Sequence, residues 1–454
     1  MSKFIKLRKG FNIKLSGKAQ KKISDTQQPE TFALKPPDFL GIARPKLTIA
    51  QGDNVKAGTP ILFDRAKEEV KYVAPVSGEI AEIVRGEKRK LLEIRILADK
   101  EIVYEQFEKF SPSQIENLGR NEAVKQMTKG GVWPNLIQRP YGIVADPEDQ
   151  PKSIFISGFD SHPLAPEYDL LFKNEDEFFQ TGIDILKKFT RGHIHLNINS
   201  TAEVAQIFAH AKNVELNKFA GPHPAGNVGV QIHHLDPINK GDIVWTINPY
   251  GVIQIGKLFL NGVYDGSKII ALTGSEVKDP QYYKTYLGAS ISKLIKDNIK
   301  SDHVRYISGN VLTGEKIDKD GYVCFYHDQI TVIPEGDYSE LFGWITPTME
   351  KLSFHKAIGL LSFLAPSKEY TLDTNTRGEP RPFVLTGVLE RVLPMDIYAT
   401  YLIKSIMAED YDEMEALGIY EVVEEDLALC EFVDVSKHDI QSILRSGLTL
   451  IRNS

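Results

Sequence analysis

Short runs of alternating apolar residues dominate the first hundred positions of the chain. Residues 44–83 hold four such runs, around Leu47, Ile61, Val70 and Ile80, and glycine-containing turns separate them. Alternation with a period of two gives a strand one apolar face, and glycine adopts the positive φ that tight turns need. The pattern predicts a small, turn-rich β domain at the start of the chain.

The arrangement of residues 44–83 resembles the flattened β-sandwich of biotinyl and lipoyl carrier domains, a barrel-sandwich hybrid. Carrier domains hold a modified lysine at a hairpin tip that is flanked by methionines. Here the tip at residues 64–69 reads Asp-Arg-Ala-Lys-Glu-Glu and contains no methionine. We therefore expect Lys67 to be unmodified and the sandwich to serve as a docking element.

Strands and helices alternate in the second quarter of the chain. Apolar runs at residues 154–156 and 194–198 predict buried strands, and apolar residues at helical spacing in 174–189 predict a helix between them. Residues 200–203 (Ser-Thr-Ala-Glu) fit a capping box, which predicts a second helix that continues to Ala211. Strands that alternate with helices indicate a parallel sheet with crossover helices.

The remaining residues predict two further units. Apolar strands at 268–272 and 304–307 enclose a helical pattern at 290–300, which indicates a β-grasp module. After the Trp-Ile-Thr-Pro segment at residues 344–347, the patterns at 395–407 and from Met414 onward predict helices.

Charge, hydropathy and cysteine content limit the function classes. The 54 basic and 61 acidic side chains leave a net charge of −7, which excludes a basic surface for nucleic acid. No apolar run is long enough to cross a bilayer, and the N-terminus lacks a secretory segment. Cys324 and Cys430 are too few for a disulfide scaffold, a zinc ribbon or a Cys-ligated iron–sulfur cluster. We expect a cytoplasmic chain that reaches a membrane only through a partner.

The histidine-rich segment does not predict a metal site. His223, His233 and His234 lie within twelve residues, but no Asp, Glu or Cys stands at a ligand spacing beside them. We expect His233 and His234 to be adjacent in a strand, where they point to opposite faces. The sequence leaves the roles of these three histidines open.

No sequence motif for a dinucleotide site or a nucleophile is present. The glycines at 221, 226 and 229 do not form G-x-G-x-x-G, and G-x-S-x-G and H-E-x-x-H are absent. Residues 160–163 (Asp-Ser-His-Pro) follow a predicted strand, where α/β sheets bind ligands, but we interpret them first as a turn.

Two aromatic, proline-containing segments predict an interface or an apolar-ligand cleft. Residues 32–40 and 133–140 are expected to expose apolar groups in loops beside Lys35 and Arg139. We favour the interface. In the cleft alternative, a quinone ring packs on Trp133 or on a phenylalanine while a cation faces a carbonyl oxygen.

Ordered motifs along the whole chain support a family resemblance. They are residues 8–10 (Arg-Lys-Gly), 15–17 (Leu-Ser-Gly), 44–83, 85–89 (Arg-Gly-Glu-Lys-Arg), 163–165 (Pro-Leu-Ala), 221–226 (Gly-Pro-His-Pro-Ala-Gly), 234–237 (His-Leu-Asp-Pro), 255–259 (Ile-Gly-Lys-Leu-Phe), 307–314 (Ile-Ser-Gly-Asn-Val-Leu-Thr-Gly), 334–336 (Pro-Glu-Gly), 340–344 (Glu-Leu-Phe-Gly-Trp), 389–394 (Leu-Glu-Arg-Val-Leu-Pro) and 425–433 (Glu-Asp-Leu-Ala-Leu-Cys-Glu-Phe-Val). With these motifs the chain resembles the A-type subunits of the sodium-translocating NADH:quinone oxidoreductases (Na⁺-NQR) of bacteria.

The resemblance implies a complex and a fold. Members belong to a six-subunit inner-membrane enzyme that passes electrons from NADH to ubiquinone and exports Na⁺, and the A-type subunits are its peripheral members on the cytoplasmic face. Their build is similar to the flavin subunit of complex I and to the C-type subunits of Rnf complexes. The implied multidomain α/β and α+β fold is a barrel-sandwich hybrid (residues 1–100), a Rossmann-like domain (101–257), a β-grasp, SLBB-like domain (258–330) and a C-terminal helical domain (331–454).

Departures from those relatives imply that this chain carries no redox cofactor. Where the relatives hold flavin by a G-A-G-F-P type loop, residues 130–134 read Gly-Gly-Val-Trp-Pro, and of their clustered tail cysteines only Cys430 remains. One cysteine cannot hold a [4Fe–4S] cluster, and we expect Cys430 to be buried and structural. FAD, FMN, iron–sulfur and ubiquinone are expected in the other five subunits.

The resemblance also sets the expected role of the chain. We expect no catalytic residue and no metal in it, and no catalysis by the isolated chain. It is expected to dock on the membrane-embedded subunits and to contribute to the quinone site through Phe32, Phe39, Trp133 and Arg139. The alternative is a scaffold subunit without ligand contact.

Overall fold

Two small sheets occupy the N-terminal part of the chain. The computed structural model describes residues 2–24, 28–340, 350–352, 354 and 367–454. Its first strands are β1 (Phe4–Lys6), β2 (Ile23–Ser24), β3 (Thr31–Leu34), β4 (Pro45–Leu47), β5 (Asn54–Val55), β6 (Pro60–Asp64), β7 (Lys67–Val73), β8 (Gly78–Arg85) and β9 (Leu91–Ala98). One sheet has the order β3-β9-β8-β5 and the other β4-β6-β7. The predicted barrel-sandwich hybrid is confirmed, with Ile61, Val70 and Ile80 buried in its core.

The hairpin tip of the sandwich contacts the α/β domain. Lys67, the first residue of β7, forms a 2.8 Å ion pair with Asp146. The tip is therefore one of the contacts that fix the sandwich on the rest of the chain.

A seven-stranded sheet with helices forms the second domain. Its elements are α1 (Pro112–Asn117), α2 (Arg120–Lys129), β10 (Ile137–Arg139), β11 (Ile143–Val144), β12 (Ser153–Ser157), α3 (Tyr168–Leu171), α4 (Asp176–Leu186), β13 (Ile194–Asn199), α5 (Gln206–Ala209), β14 (Glu215–Ala220), α6 (Val228–Leu235), β15 (Val244–Thr246) and α7 (Pro249–Asn261). The order is β1-β14-β13-β12-β15-β10-β11. The neighbouring strands β1, β14, β13, β12 and β15 are parallel to one another, and β10 pairs with β15 in the antiparallel direction. The predicted strands β12 and β13 and the predicted helix α4 are confirmed.

Two local predictions in this domain are wrong. Residues 200–203 do not open a helix, because Asn199 Oδ1 accepts hydrogen bonds from the Thr201 amide and hydroxyl and holds a turn after β13. The short helix α5 begins only at Gln206. His233 and His234 lie in helix α6 rather than in a strand. The alternation around them is typical of a strand, but tertiary packing overrides it.

A mixed sheet forms the β-grasp domain. Its strands are β16 (Ser267–Thr273), β17 (Gln281–Tyr286), β18 (Val304–Ser308), β19 (Glu315–Ile317) and β20 (Gln329–Pro334), in the order β19-β18-β20-β16-β17-β2. The helix predicted at residues 290–300 is wrong. The ends of this segment bond to neighbouring segments instead. Ile291 N donates to Gly321 O and Lys300 N donates to Glu276 O, both at 2.9 Å. Between them, Ile295 N bonds to Ile291 O at 3.0 Å and Asn298 N to Ile295 O at 3.1 Å, so only isolated turns form.

The N-terminal strands connect the domains. β1 extends the α/β sheet by pairing with β14, and β2 extends the β-grasp sheet by pairing with β17. Between them Gly17, at φ +95°, lies so close to Gly274 that a Cβ atom would be 2.2 Å from the Gly274 carbonyl oxygen. The domains therefore share strands, while the predicted boundaries after residues 100, 257 and 330 stay predictions.

Helices form the C-terminal domain, as predicted. They are α8 (Leu389–Val392), α9 (Ala399–Met407), α10 (Tyr411–Ala416), α11 (Glu424–Val433) and α12 (Ile440–Asn453). Cys430 is buried among them, and burial raises the pKa of its thiol. The segment at residues 344–347 lies outside the described residues. Within the described part of the chain, no helix has the length and apolar character needed to span a membrane.

A buried ion pair connects the C-terminal helices to the α/β sheet. Arg139, at the end of β10, donates from Nη1 to Asp426 Oδ2 at 2.9 Å and from Nη2 to Glu425 Oε1 at 2.6 Å. Arg139 is 3% exposed, and the Asp426 side chain is fully buried. Removing one partner of such a pair leaves an uncompensated buried charge.

We predict that Arg139→Met lowers the free energy of unfolding by about 3 kcal/mol or more, since it leaves the Asp426 carboxylate buried without its cation. Urea unfolding of the full chain measures this change. The matched control is Lys240→Met, which removes an exposed ion pair with Glu415 between the same two domains and should leave the unfolding midpoint unchanged. Equal midpoints for both variants would contradict the prediction.

Candidate functional site

A cleft of about 600 Å³ lies where the α/β sheet, the β-grasp domain and the C-terminal helices meet. In the sheet, β12 lies between β13 and β15, so the chain leaves β12 to one side and returns on the other. Ligands bind at the carboxyl ends of strands at such a switch point. Ser157 ends β12, Asp160 follows it and Asn248 follows β15 in the cleft wall, while Gln329 and Glu425 come from the other two domains.

A histidine–carboxylate pair follows β12 in this wall. Asp160 Oδ1 accepts hydrogen bonds from the His162 backbone N–H at 2.7 Å and from His162 Nδ1 at 2.6 Å. Burial alone lowers the pKa of His162, but the charge and hydrogen bond of Asp160 raise it above its ordinary value. Burial raises the pKa of Asp160, but His162 lowers it overall. The pair therefore favours a charged imidazolium that faces the cleft.

A second histidine lies beside the first in a different protonation state. The ring centroids of His162 and His223 are 4.7 Å apart. Ser161 Oγ lies 3.0 Å from His223 Nδ1 and accepts a hydrogen bond from the Gly226 amide at 2.8 Å. Burial and the charge of His162 lower the pKa of His223 to about 3. His223 is therefore neutral, and its Nδ1 shares a hydrogen bond with the Ser161 hydroxyl.

Buried polar atoms without a hydrogen-bond partner concentrate at this wall. Within the described residues they include Nε2 of His162, Nε2 of His223, Oδ1 of Asn227 and Oδ1 of Asp426. His162 and Asn227 line the cleft directly. Because native proteins rarely leave such atoms unpaired, the wall is suited to a ligand or ordered water with donors and acceptors of its own.

Three of the four predicted quinone contacts lie in the protein core instead of in exposed loops. Phe32 is 1%, Phe39 3% and Trp133 0% exposed, so the expectation that they expose apolar groups is wrong. Phe32 belongs to β3, Phe39 packs on Tyr72, and the Trp133 indole N–H donates to the Ala145 carbonyl at 2.9 Å. Residues of the sandwich and of the β-grasp domain cover the segment 32–40, since Tyr72 and Phe325 pack on Phe39 and Tyr286 packs on Phe32.

Arg139 is the predicted site residue that does line the cleft. Its guanidinium is already paired with Glu425 and Asp426, so its first role is to hold the wall together. The turn at residues 160–163 carries the histidine–carboxylate pair, which the sequence identified only as a secondary alternative. Its position after a strand was the signal.

The loop that corresponds to the relatives' flavin loop packs against protein. A Cβ atom on Gly131, at φ +74°, would lie 2.4 Å from the Val73 side chain, and one on Gly130 would lie 2.5 Å from Leu258. Trp133 then fills the space toward Phe189 and Trp245, with both ring centroids 5.6 Å away. The glycines here serve close packing between domains.

A four-residue cluster that sequence analysis missed combines Lys35, Asp38, Glu315 and Cys324. Ligand-type atoms of Asp38, Glu315 and Cys324 lie within 4.8 Å of one another, as in a metal site. However, the Lys35 ammonium lies among them, 2.8 Å from Glu315 and 3.1 Å from the Cys324 sulfur. The cluster is thus an ion-pair network around a protein cation. Residues about 280 positions apart gave no local signal.

The histidines of α6 contact the C-terminal domain. His233 Nδ1 lies 2.7 Å from Glu421, and His233 Nε2 accepts a hydrogen bond from the Asp396 amide at 3.0 Å. His234 Nε2 donates to the Pro394 carbonyl at 2.8 Å. Both residues therefore join domains.

Comparison with known proteins gives matches along the chain. Residues 5–99 match the family model described as NqrA N-terminal barrel-sandwich hybrid domain, 118–264 the NqrA second alpha/beta domain, and 269–319 the NQRA C-terminal domain. A solved NAD⁺-reducing [NiFe]-hydrogenase in the air-oxidized state is 13% identical, with a TM-score of 0.33 over 49% of this chain and 47% of that chain. At this identity and TM-score, the likeness supports no conclusion about this chain.

Full-length relatives are much more similar. The A-type subunit of the Na(+)-translocating NADH-quinone reductase of Neisseria meningitidis serogroup B is 36% identical over 448 residues, which are 98% of this chain and 99% of the relative. The corresponding protein of Yersinia pestis bv. Antiqua is 36% identical over 451 residues, with the same coverage. With these matches the chain belongs to the NqrA family, the A-type subunits of the Na(+)-translocating NADH-quinone reductases.

Proposed function

We propose that the chain is a peripheral subunit of a Na⁺-translocating NADH:quinone reductase at the cytoplasmic face of the bacterial inner membrane. In this role it docks on the membrane-embedded subunits and contributes to the site where ubiquinone is reduced to ubiquinol, coupled to Na⁺ export. Support comes from relatives of that name, which align over 98% of the chain. FAD, FMN and iron–sulfur groups belong to the other five subunits, so the isolated chain is not catalytic.

The quinone contact that we propose is the cleft at His162. Reduction of a quinone to a quinol takes up two electrons and two protons, so the site needs a donor at a carbonyl oxygen. His162 offers Nε2, which is buried and has no partner within the described residues. Asp160 holds the imidazole at Nδ1 and favours its charged form, so that Nε2 donates. This unpartnered donor in the cleft is the observation that carries the proposal.

Phe32, Phe39 and Trp133 have a different part in this proposal. Since they are buried, we propose that they contact no ligand; Phe39 packs on Tyr326, which lines the cleft, and Arg139 holds the cleft wall. Their burial also supports the second candidate function, a scaffold subunit without ligand contact. The two functions differ in what a change at His162 does.

We propose that docking uses an apolar surface with an acidic border on the C-terminal helices. Tyr398 is 63%, Tyr401 53% and Met407 54% exposed. Four exposed acidic residues lie directly beside them in sequence: Glu409, Asp410, Asp412 and Glu413. Cytoplasmic loops of membrane proteins carry an excess of Lys and Arg, so this surface complements a membrane-embedded partner in charge.

We predict that His162→Asn in the assembled complex lowers the rate of ubiquinone reduction on the order of 100-fold, the usual contribution of a positioned proton donor. NADH oxidation with a soluble artificial acceptor should stay unchanged. Steady-state assays of purified complexes measure both rates, and the exposed His210→Asn serves as control. Normal ubiquinone reduction by the His162 variant would favour the scaffold function.

We predict that the Asp160–His162 pair makes the rate of ubiquinone reduction depend on pH. Donation needs the charged form of His162, so ubiquinone reduction falls as pH rises through the pKa of this histidine. Because Asp160 raises that pKa, Asp160→Asn lowers it and shifts the alkaline limb of the pH–rate profile to lower pH. An unchanged profile for the assembled variant contradicts this role of Asp160.

We predict that the double variant Tyr401→Ser and Met407→Ser weakens association with the membrane-embedded subunits and leaves the chain folded. The reason is the loss of apolar contact area from an exposed surface. Co-purification with the tagged complex at increasing salt measures the association. Leu97→Ser, at an exposed apolar residue of the sandwich, is the control. Equal recovery of both variants would exclude this surface as the dock.

A further inference from the structure

A second cavity, of about 250 Å³, lies between the α/β domain and the β-grasp sheet. Its walls come from α3 and the segment after it, from α7, and from strands β16 and β17. It shares one lining residue, Asp328, with the cleft. The volume far exceeds the ~10–15 Å³ that one water needs and approaches the ~300 Å³ of small-molecule pockets.

Residues that line this cavity carry buried polar atoms without a hydrogen-bond partner in the described part of the chain. Among the described lining residues they include Tyr250 Oη, Thr285 Oγ1 and Glu175 Oε2. Tyr250 is 8% and Thr285 3% exposed. A hydroxyl that is buried and unpaired costs stability, so these atoms call for a partner inside the cavity. Two hydroxyls and a carboxylate oxygen are suited to the hydroxyl groups of a ligand.

Lysines give the cavity a cationic character. Lys257 is held by Glu175 at 2.9 Å and Asp265 at 3.0 Å, and the Lys268 ammonium lies 2.7 Å from Asp328. Two more lysines, Lys173 and Lys284, line the cavity, are exposed, and form no ion pair within the described residues. In a chain of net charge −7, two unpaired lysines at one cavity mouth favour an anionic group.

We propose that this cavity binds a small polyol that carries a phosphate group, a ligand of the sugar-phosphate class. The hydroxyls meet Tyr250, Thr285 and Glu175 inside, and the phosphate meets Lys173 and Lys284 at the mouth. The apolar side chains of the wall, Leu171, Phe172, Ile253 and Ile269, contact the carbon skeleton. The site is separate from the proposed quinone contact and does not depend on it.

Calorimetry on the full chain tests the ligand class with ribose 5-phosphate as the probe. We expect it to bind at least about tenfold more tightly than ribose or inorganic phosphate alone, because each carries half of the recognised groups. Absence of binding overturns the proposal. Equal binding of inorganic phosphate overturns its polyol part.

Matched variants test the location. The double variant Lys173→Glu and Lys284→Glu should weaken ribose 5-phosphate binding at least about tenfold, while Lys319→Glu, at an exposed lysine outside the cavity, should not change it. If the double variant binds as well as the parent chain, the cavity is not the site.

A shape-conserving variant separates binding from folding. Thr285→Val removes a hydroxyl that lacks a partner, so the thermal midpoint of the ligand-free chain should stay equal or rise, while ribose 5-phosphate binding weakens by about tenfold. A lowered midpoint without ligand would mean that the hydroxyl already bonds within the fold, and that result contradicts the proposal.

Discussion

Arg139 and Asp426 place two opposite charges where almost no water reaches them. Arg139 ends a strand of the α/β sheet, and Asp426 lies in the first turn of α11, so the pair determines how the C-terminal helices sit on the sheet. A buried pair gives directional contacts that an apolar surface lacks, since Arg139 donates to two carboxylates in fixed positions. The cleft wall that the C-terminal helices contribute depends on this arrangement, because Glu425 and Val423 from the same helix region line it.

The protonation states of His162 and His223 follow from their neighbours. His162 contacts a carboxylate, and His223 contacts a hydroxyl and faces His162. Asp160 therefore favours the charged form of His162, while His223 stays neutral, although the two rings are only 4.7 Å apart. Repulsion between them reinforces the difference, since charging His162 disfavours a second charge on His223. Of the two, His162 lines the cleft and offers its Nε2–H as a donor, which suits a ligand whose oxygen atoms gain protons.

Much of the fold could be predicted from the sequence, because segments such as 153–157 are short apolar runs, a pattern that indicates a buried strand before its partner strands are known. Residues 290–300 misled the prediction: Ile291, Leu294 and Ile295 have helical spacing, but they anchor a turn-rich segment in the β-grasp core. The prediction that residues 32–40 and 133–140 expose apolar groups failed for a different reason. Nothing local to Phe32 or Trp133 reveals which residues cover it: Tyr286 of the β-grasp sheet packs on Phe32, and Phe189 and Trp245 pack on Trp133. Their burial therefore requires the three-dimensional arrangement. The same limit hid the pairing of Lys35 with Glu315 and of Arg139 with Asp426.

Both cavities lie at junctions between domains, and this location follows from how the chain is connected. β1 and β2 pair with strands of the α/β sheet and the β-grasp sheet, so the N-terminal segment ties both sheets to the sandwich. Gaps remain where these domains meet, and some polar atoms beside the gaps have no hydrogen-bond partner within the described residues. His162 in the cleft and Thr285 in the second cavity are in this position. Unpaired buried atoms beside a cavity favour binding, because a ligand supplies hydrogen bonds that the fold itself omits.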